Sequence, residues 1–112
     1  MTEVKELLTL AAKACGYITV QYCDHLGWQV VFEDGVSSWW HPGKWDGDCF
    51  RMETELYTEI TWTDKTVTAE VWGYGLLEAQ NSEHFADHNG DKNAARRLAS
   101  LRVAAELGRR MP

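Results

Sequence analysis

The sequence predicts a single α+β domain, with antiparallel strands covered on one face by helices. Three observations predict it. Apolar residues recur at helical spacing near both ends, β-branched and aromatic residues alternate with polar ones between them, and turn residues divide the alternating runs into hairpins. A chain of 112 residues has room for one core, so residues 1–112 are expected as one domain. The expected order is helix, two or three strands, helix, two strands, helix.

Thr2 is placed to cap a first helix running to about Cys15. Val4, Leu7, Leu8, Ala11, Ala14 and Cys15 form its apolar stripe, and Gly16 supplies the stop. Residues 17–23 read as a strand, Asp24-His25-Leu26-Gly27 as a loop, and residues 28–33 as the returning strand. Asp34-Gly35 is a turn signal, and Val36 to Trp40 is either a third short strand or an extended approach to the central stretch of the chain. From about Gly47 to Tyr57, Cys49, Met52 and Leu56 share a helical face with Phe50 and Tyr57 beside it. Ile60 and Trp62, then Val67, Ala69 and Val71, alternate across an Asp64-Lys65 turn as a second hairpin. Residues 73–90 show no sustained period and read as a long loop. Asn89 or Asp91 caps a final helix to about Leu107, ended by Gly108, with Ala94, Leu98, Leu101 and Ala105 on its main face. The two hairpins are expected to join or stack as one sheet.

Composition is that of a globular domain, 45% hydrophobic and 25% charged. No apolar run approaches the roughly 20 residues of a membrane span. The N-terminus lacks a basic segment followed by an apolar one, so no export signal is expected, and Cys15, Cys23 and Cys49 are expected as free thiols in a reducing cytosol. The formal charge of -6 is uneven. Residues 91–112 hold six bases against two acids, +4, so residues 1–90 carry -10. An acidic body with a basic last helix is either self-complementary or offers two separate contact surfaces.

The organising stretch is residues 39–52, which hold three of the six tryptophans. Pro42 keeps His41 out of helical geometry, Pro42-Gly43 turns the chain, and Asp46-Gly47-Asp48 opens a helix with carboxylates near its unpaired N–H groups. Catalytic and metal chemistries are weakly supported. Cys23, His25, His41, Cys49, His84 and His88 are possible ligands without finger-type spacing, and no Glu follows His84 as HExxH requires. Cys15 and Cys49 fall on apolar helix faces, where a thiol usually packs. Capping explains Asp46 and Asp48 with fewer assumptions than a pair of hydrolytic acids. No catalytic residue, cofactor or metal is therefore expected.

Two surfaces remain. The tryptophans and acids of the middle stretch (Trp39, Trp40, His41, Trp45, Asp46, Asp48, Glu53 and Glu55) form a candidate protein-binding site, because Trp anchors interfaces. Six tryptophans are equally a large core, and their exposure decides between the two. Arg96, Arg97, Arg102, Arg109 and Arg110 form an alternative nucleic-acid-binding face, opposed by the acidic remainder.

The run Trp40-His41-Pro42 followed by Asp46-Gly47-Asp48-Cys49-Phe50-Arg51-Met52 resembles a motif of small uncharacterised proteins from tailed phages and prophages, approximately W-N-P, a short acidic insert, then D-G-D-A-L-R-L-A. The segments 6–14 and 94–108 are similar to the same family. His41 stands where that family usually has Asn, Lys44-Trp45 replaces a more acidic pair, and Cys49-Phe50 replaces Ala-Leu. The resemblance implies a phage or prophage accessory protein in the bacterial cytoplasm and carries no activity, cofactor or catalytic residue with it. The expected function is non-enzymatic binding of a host or phage protein, as a monomer or homodimer, with inhibition of a host-defence or regulatory complex (anti-CRISPR-type) one role in that class. Nucleic acid is the less favoured partner, and no membrane is expected.

Overall fold

A computed structural model describes residues 2–112, apart from the side chain of Thr2, so the cap expected there lies outside the described residues. Its elements are α1 (Thr2–Cys15), β1 (Ile18–Cys23), β2 (Gly27–Val31), β3 (Ser37–Trp40), α2 (Asp46–Leu56), β4 (Glu59–Trp62), β5 (Thr66–Gly73), β6 (Leu76–His84), a 3-10 turn (Phe85–His88) and α3 (Lys92–Arg110). The class is α+β, as expected, and residues 37–40 are a strand. The strands form two three-stranded antiparallel sheets, β1-β2-β3 and β4-β5-β6, in place of the one sheet expected.

Helix ends follow local chemistry. Gly16 adopts φ 76, and the N–H groups of Gly16 and Tyr17 return to the carbonyls of Lys13 and Ala12. Asp91 caps α3 by accepting the Ala94 N–H at 3.0 Å. The expected stop at Gly108 is a correction: α3 continues to Arg110, and a Cβ on Gly108 would lie 1.9 Å from the Leu10 carbonyl oxygen. Gly108 serves the close approach of α1 and α3.

The long loop expected over residues 73–90 is the other correction. Most of it is β6, paired with β5 through Tyr74-Gly75, both at positive φ, a tight two-residue hairpin turn. The register places Ala79, Asn81 and Glu83 opposite Val71, Ala69 and Val67, so polar residues occupy inward positions. Glu83 is satisfied there by Asn81 (2.9 Å), His88 (3.0 Å) and Arg102 (2.9 Å).

Two buried clusters result. One joins α1, the first sheet and α2 around Leu8, Val30, Trp40 and Met52. The other joins the second sheet and α3 around Val67, Ala69, Ala99 and Val103. Helix α3 belongs to both, giving Leu101 and Ala104 to the first and Ala95, Ala99 and Val103 to the second. Its alanine-rich sequence lets sheets and helices approach from two sides.

Candidate functional site

The organising stretch forms a corner. β3 ends at Trp40, the chain turns through Pro42-Gly43, and α2 starts at Asp46. The His41 carbonyl accepts both the Lys44 and Trp45 N–H groups at 3.0 Å, which closes the turn. Trp45 is the N-cap of α2 and has no side-chain acceptor to offer. The first-turn acids act elsewhere than as caps. Asp48 accepts the His41 backbone N–H at 2.9 Å, and Asp46 pairs with Arg97 at 2.7 Å.

The candidate protein-binding residues separate on burial. Trp40 is fully buried, edge-on to Tyr17, and His41 and Glu53 are also buried. Burial corrects the expectation that these three lie on a contact surface: Trp40 packs in the core, Glu53 is hydrogen-bonded inside, and His41 is enclosed in the turn. Trp39, Asp48 and Glu55 are half-buried, and Asp46 and Trp45 are exposed, Trp45 at 49%. The tryptophans as a group divide likewise: Trp40 is core, while Trp45, Trp62 and Trp72 are exposed.

Glu53 centres a buried network. Arg96 grips it with Nε and Nη2 (Nε to Oε2 3.0 Å), Ser100 Oγ donates to Oε2, and the Cys49 thiol lies 3.4 Å away. This ties α2 to α3. It also removes Arg96 from any free basic face, and the other arginines are engaged too. Arg97 holds Asp46 and the Gly43 carbonyl, Arg102 holds Glu83, and Arg109 and Arg110 hold Glu106. The basic helix is largely self-neutralised, the first of the two readings its charge allowed.

The possible catalytic groups are dispersed. Burial pushes the thiols of Cys15 and Cys49 up to about 12, opposite to the lowered pKa a nucleophile needs. Burial holds His41 below its ordinary value, with its Nδ1 unpartnered among the described residues. Burial raises the Asp48 carboxyl, against the hydrogen bond from the His41 N–H. Among the described residues no group of three or more His, Cys, Asp or Glu side chains is placed to hold a metal ion.

Beside the corner lies a groove of about 550 Å³ between β3 and α2, lined by Phe32, Val36, Ser38, Phe50, Arg51 and Glu55 among others. Phe50 is 64% exposed, and the Arg51 guanidinium lies 3.6 Å above the Phe32 ring centroid. Only Asp48 and Glu55 of this lining come from the predicted set. Phe50 had a signal in sequence, an aromatic residue beside rather than within the apolar stripe of α2. Phe32 and Val36 had none, because a hairpin alternation does not say which strand edge stays open. A second exposed apolar group, Trp72, Tyr74, Leu76 and Leu77, occupies the β5–β6 hairpin tip.

Comparison of the chain with protein-family models, curated proteins and solved structures gives no match.

Proposed function

We propose that this chain is a non-enzymatic phage or prophage accessory protein that acts in the bacterial cytoplasm by binding another protein. The observation that supports it is the exposed apolar surface along α2. Phe50 stands in solvent on the wall of an open groove that Asp48 and Glu55 also line, and Trp45 is exposed at the start of the same helix. Aromatic surface of this kind anchors protein interfaces. The setting rests on the resemblance of residues 40–52 to the phage motif. Setting and negative charge together favour inhibition of a host-defence or regulatory complex within this class.

The nucleic-acid reading is the weaker one, because each of its five arginines is paired within the chain. Affinity capture from bacterial cytosol, eluted in high salt, tests the choice with wild type and Phe50→Asp side by side. A protein held by wild type and lost from Phe50→Asp is the expected result. Recovery of nucleic acid alone, released as salt rises and indifferent to Phe50→Asp, overturns it. Arg109→Ala/Arg110→Ala is the matching basic variant, since Arg96→Ala would also break the Glu53 network.

A further inference from the structure

The groove beside α2 opens onto the edge of a sheet, and that edge has unused backbone groups. The Phe32 N–H donates to the Val36 carbonyl at 2.9 Å, and the β2–β3 register pairs Val30 with Ser38 and Trp28 with Trp40. Hydrogen-bonded pairs alternate along an antiparallel ladder, so the backbone groups of Ser37, Trp39 and His41 point away from β2. Asp48 takes the His41 N–H, and Ser38 Oγ donates to the Trp39 carbonyl. The Ser37 N–H and carbonyl and the Trp39 N–H have no partner among the described residues.

Other edges are less open to pairing. β1 carries a bulge at Val20, and the outer strand β6 a bulge at Glu78, irregularities that commonly blunt an edge. β4 is unbulged, but it is a short strand of four residues, Glu59–Trp62. At β3 the edge and the groove coincide. Phe32, Val36 and Ser38 share one face of the sheet by alternation, and all three line the groove. A strand laid along β3 would turn every second side chain onto that face.

Charge selects what such a strand carries. The groove lining carries two acids, Asp48 and Glu55, against one cation, Arg51, which also lies 4.0 Å from Asp34. Burial raises the Glu55 carboxyl, the neighbouring Glu33 carboxylate raises it further, and Arg51 offsets them only in part. Two adjacent carboxylates gain from a cation placed between them.

We propose that this groove takes an extended segment of a partner protein, added as a fourth strand along β3, with alternating apolar side chains toward Phe32 and Phe50 and a lysine or arginine opposite Glu33 and Glu55. The inference rests on the protein-binding reading and gives it a recognition mode, main-chain pairing for affinity and alternate side chains for specificity.

The test is selection of a displayed library of random decapeptides against the full chain, followed by titration of the enriched peptides. Expected are peptides with apolar residues at alternate positions and one Lys or Arg, which slow amide exchange at Ser37 and Trp39. Ser37→Pro removes an outward N–H while leaving the β2–β3 ladder its own bonds, and is expected to weaken binding about tenfold or more. Glu33→Lys/Glu55→Lys is expected to reverse the charge preference, enriching acidic peptides, and does not depend on tolerance of proline. Peptides with helical spacing, equal binding by Ser37→Pro with unchanged charge preference in the reversed variant, or enrichment at the β5–β6 tip overturns the proposal. If a captured protein is lost with Phe50→Asp yet held by both groove variants, protein binding stands and strand addition falls. If Phe50→Asp loses nothing, the protein-binding reading falls first.

Discussion

Single side chains here carry opposite duties within one helix. Glu53 lies inside with Arg96, Ser100 and Cys49, whereas Phe50, one turn before, stands in solvent. Removing one member of a buried pair leaves the other uncompensated, which typically costs several kcal/mol. Arg96 keeps a third of its side chain exposed, so water offsets part of that cost. Glu53→Ala is therefore expected to lose about 3 kcal/mol, the low end of the range, in urea denaturation, while the surface change Phe50→Ala stays within about 0.5 kcal/mol. The thiols give a second prediction. Cys15 and Cys49 rise from 9.0, the value of an unperturbed thiol, to about 12 in the fold, burial being the main cause. The folded state holds these protons more tightly than the unfolded chain. Their stabilisation is thus complete below pH 9 and is lost as pH rises toward 12. Thermal midpoints measured across that window should fall, and fall less steeply for Cys15→Ala/Cys49→Ala. At about pH 8, below both values, the native chain should resist iodoacetamide at both positions and react there only in urea.

Elements were legible where one principle governed them. α1, α2 and the β4–β5 hairpin follow hydrophobic period alone, and their bounds agree with the sequence to within a residue or two. β6 was not legible, because its inward positions include Asn81 and Glu83, and a period cannot show that Arg102 and His88 will satisfy them. The burial of two candidate site residues was not legible for a related reason. Trp40 looks like a surface anchor until β3 is seen to turn it into the core, His41 is buried in the turn that follows, and the open edge of β3 leaves no mark in composition. Glycines show the same limit. Gly47 and Gly108 both lie in helices, but a Cβ at Gly47 meets nothing within 4 Å, while one at Gly108 would collide with Leu10 backbone. Gly47→Ala is expected to raise stability by about 0.5–1 kcal/mol through reduced chain entropy. Gly108→Ala makes the same helix-favouring change and is expected to lower stability by about 2 kcal/mol or more by prising α1 from α3. Circular dichroism melts of the two variants compare them directly, and equal shifts would mean that the α1–α3 approach is softer than its geometry indicates.

The molecule as a whole is two cores on one helix. A radius of gyration of 13.4 Å matches the roughly 13 Å of a compact domain of this length, so the two sheets do not form an extended pair of lobes. Their coupling is α3, which lends Leu101 and Ala104 to one core and Ala99 and Val103 to the other. The Glu53–Arg96 pair adds a second tie from α2. Pulling α3 from either sheet exposes the apolar surface of that core and of the helix, so the two cores are expected to open together. Leu101→Ala tests this because Leu101 belongs to the first cluster only, and truncation of a buried leucine costs about 2–5 kcal/mol. Native-state hydrogen exchange should show that loss equally at the Val30 amide in the first sheet and the Val67 amide in the second. Protection lost at Val30 and kept at Val67 would mean that the halves open separately. The candidate edge at β3 would then belong to a locally unstable sheet, and strand addition there would act by ordering that sheet rather than by joining a rigid one.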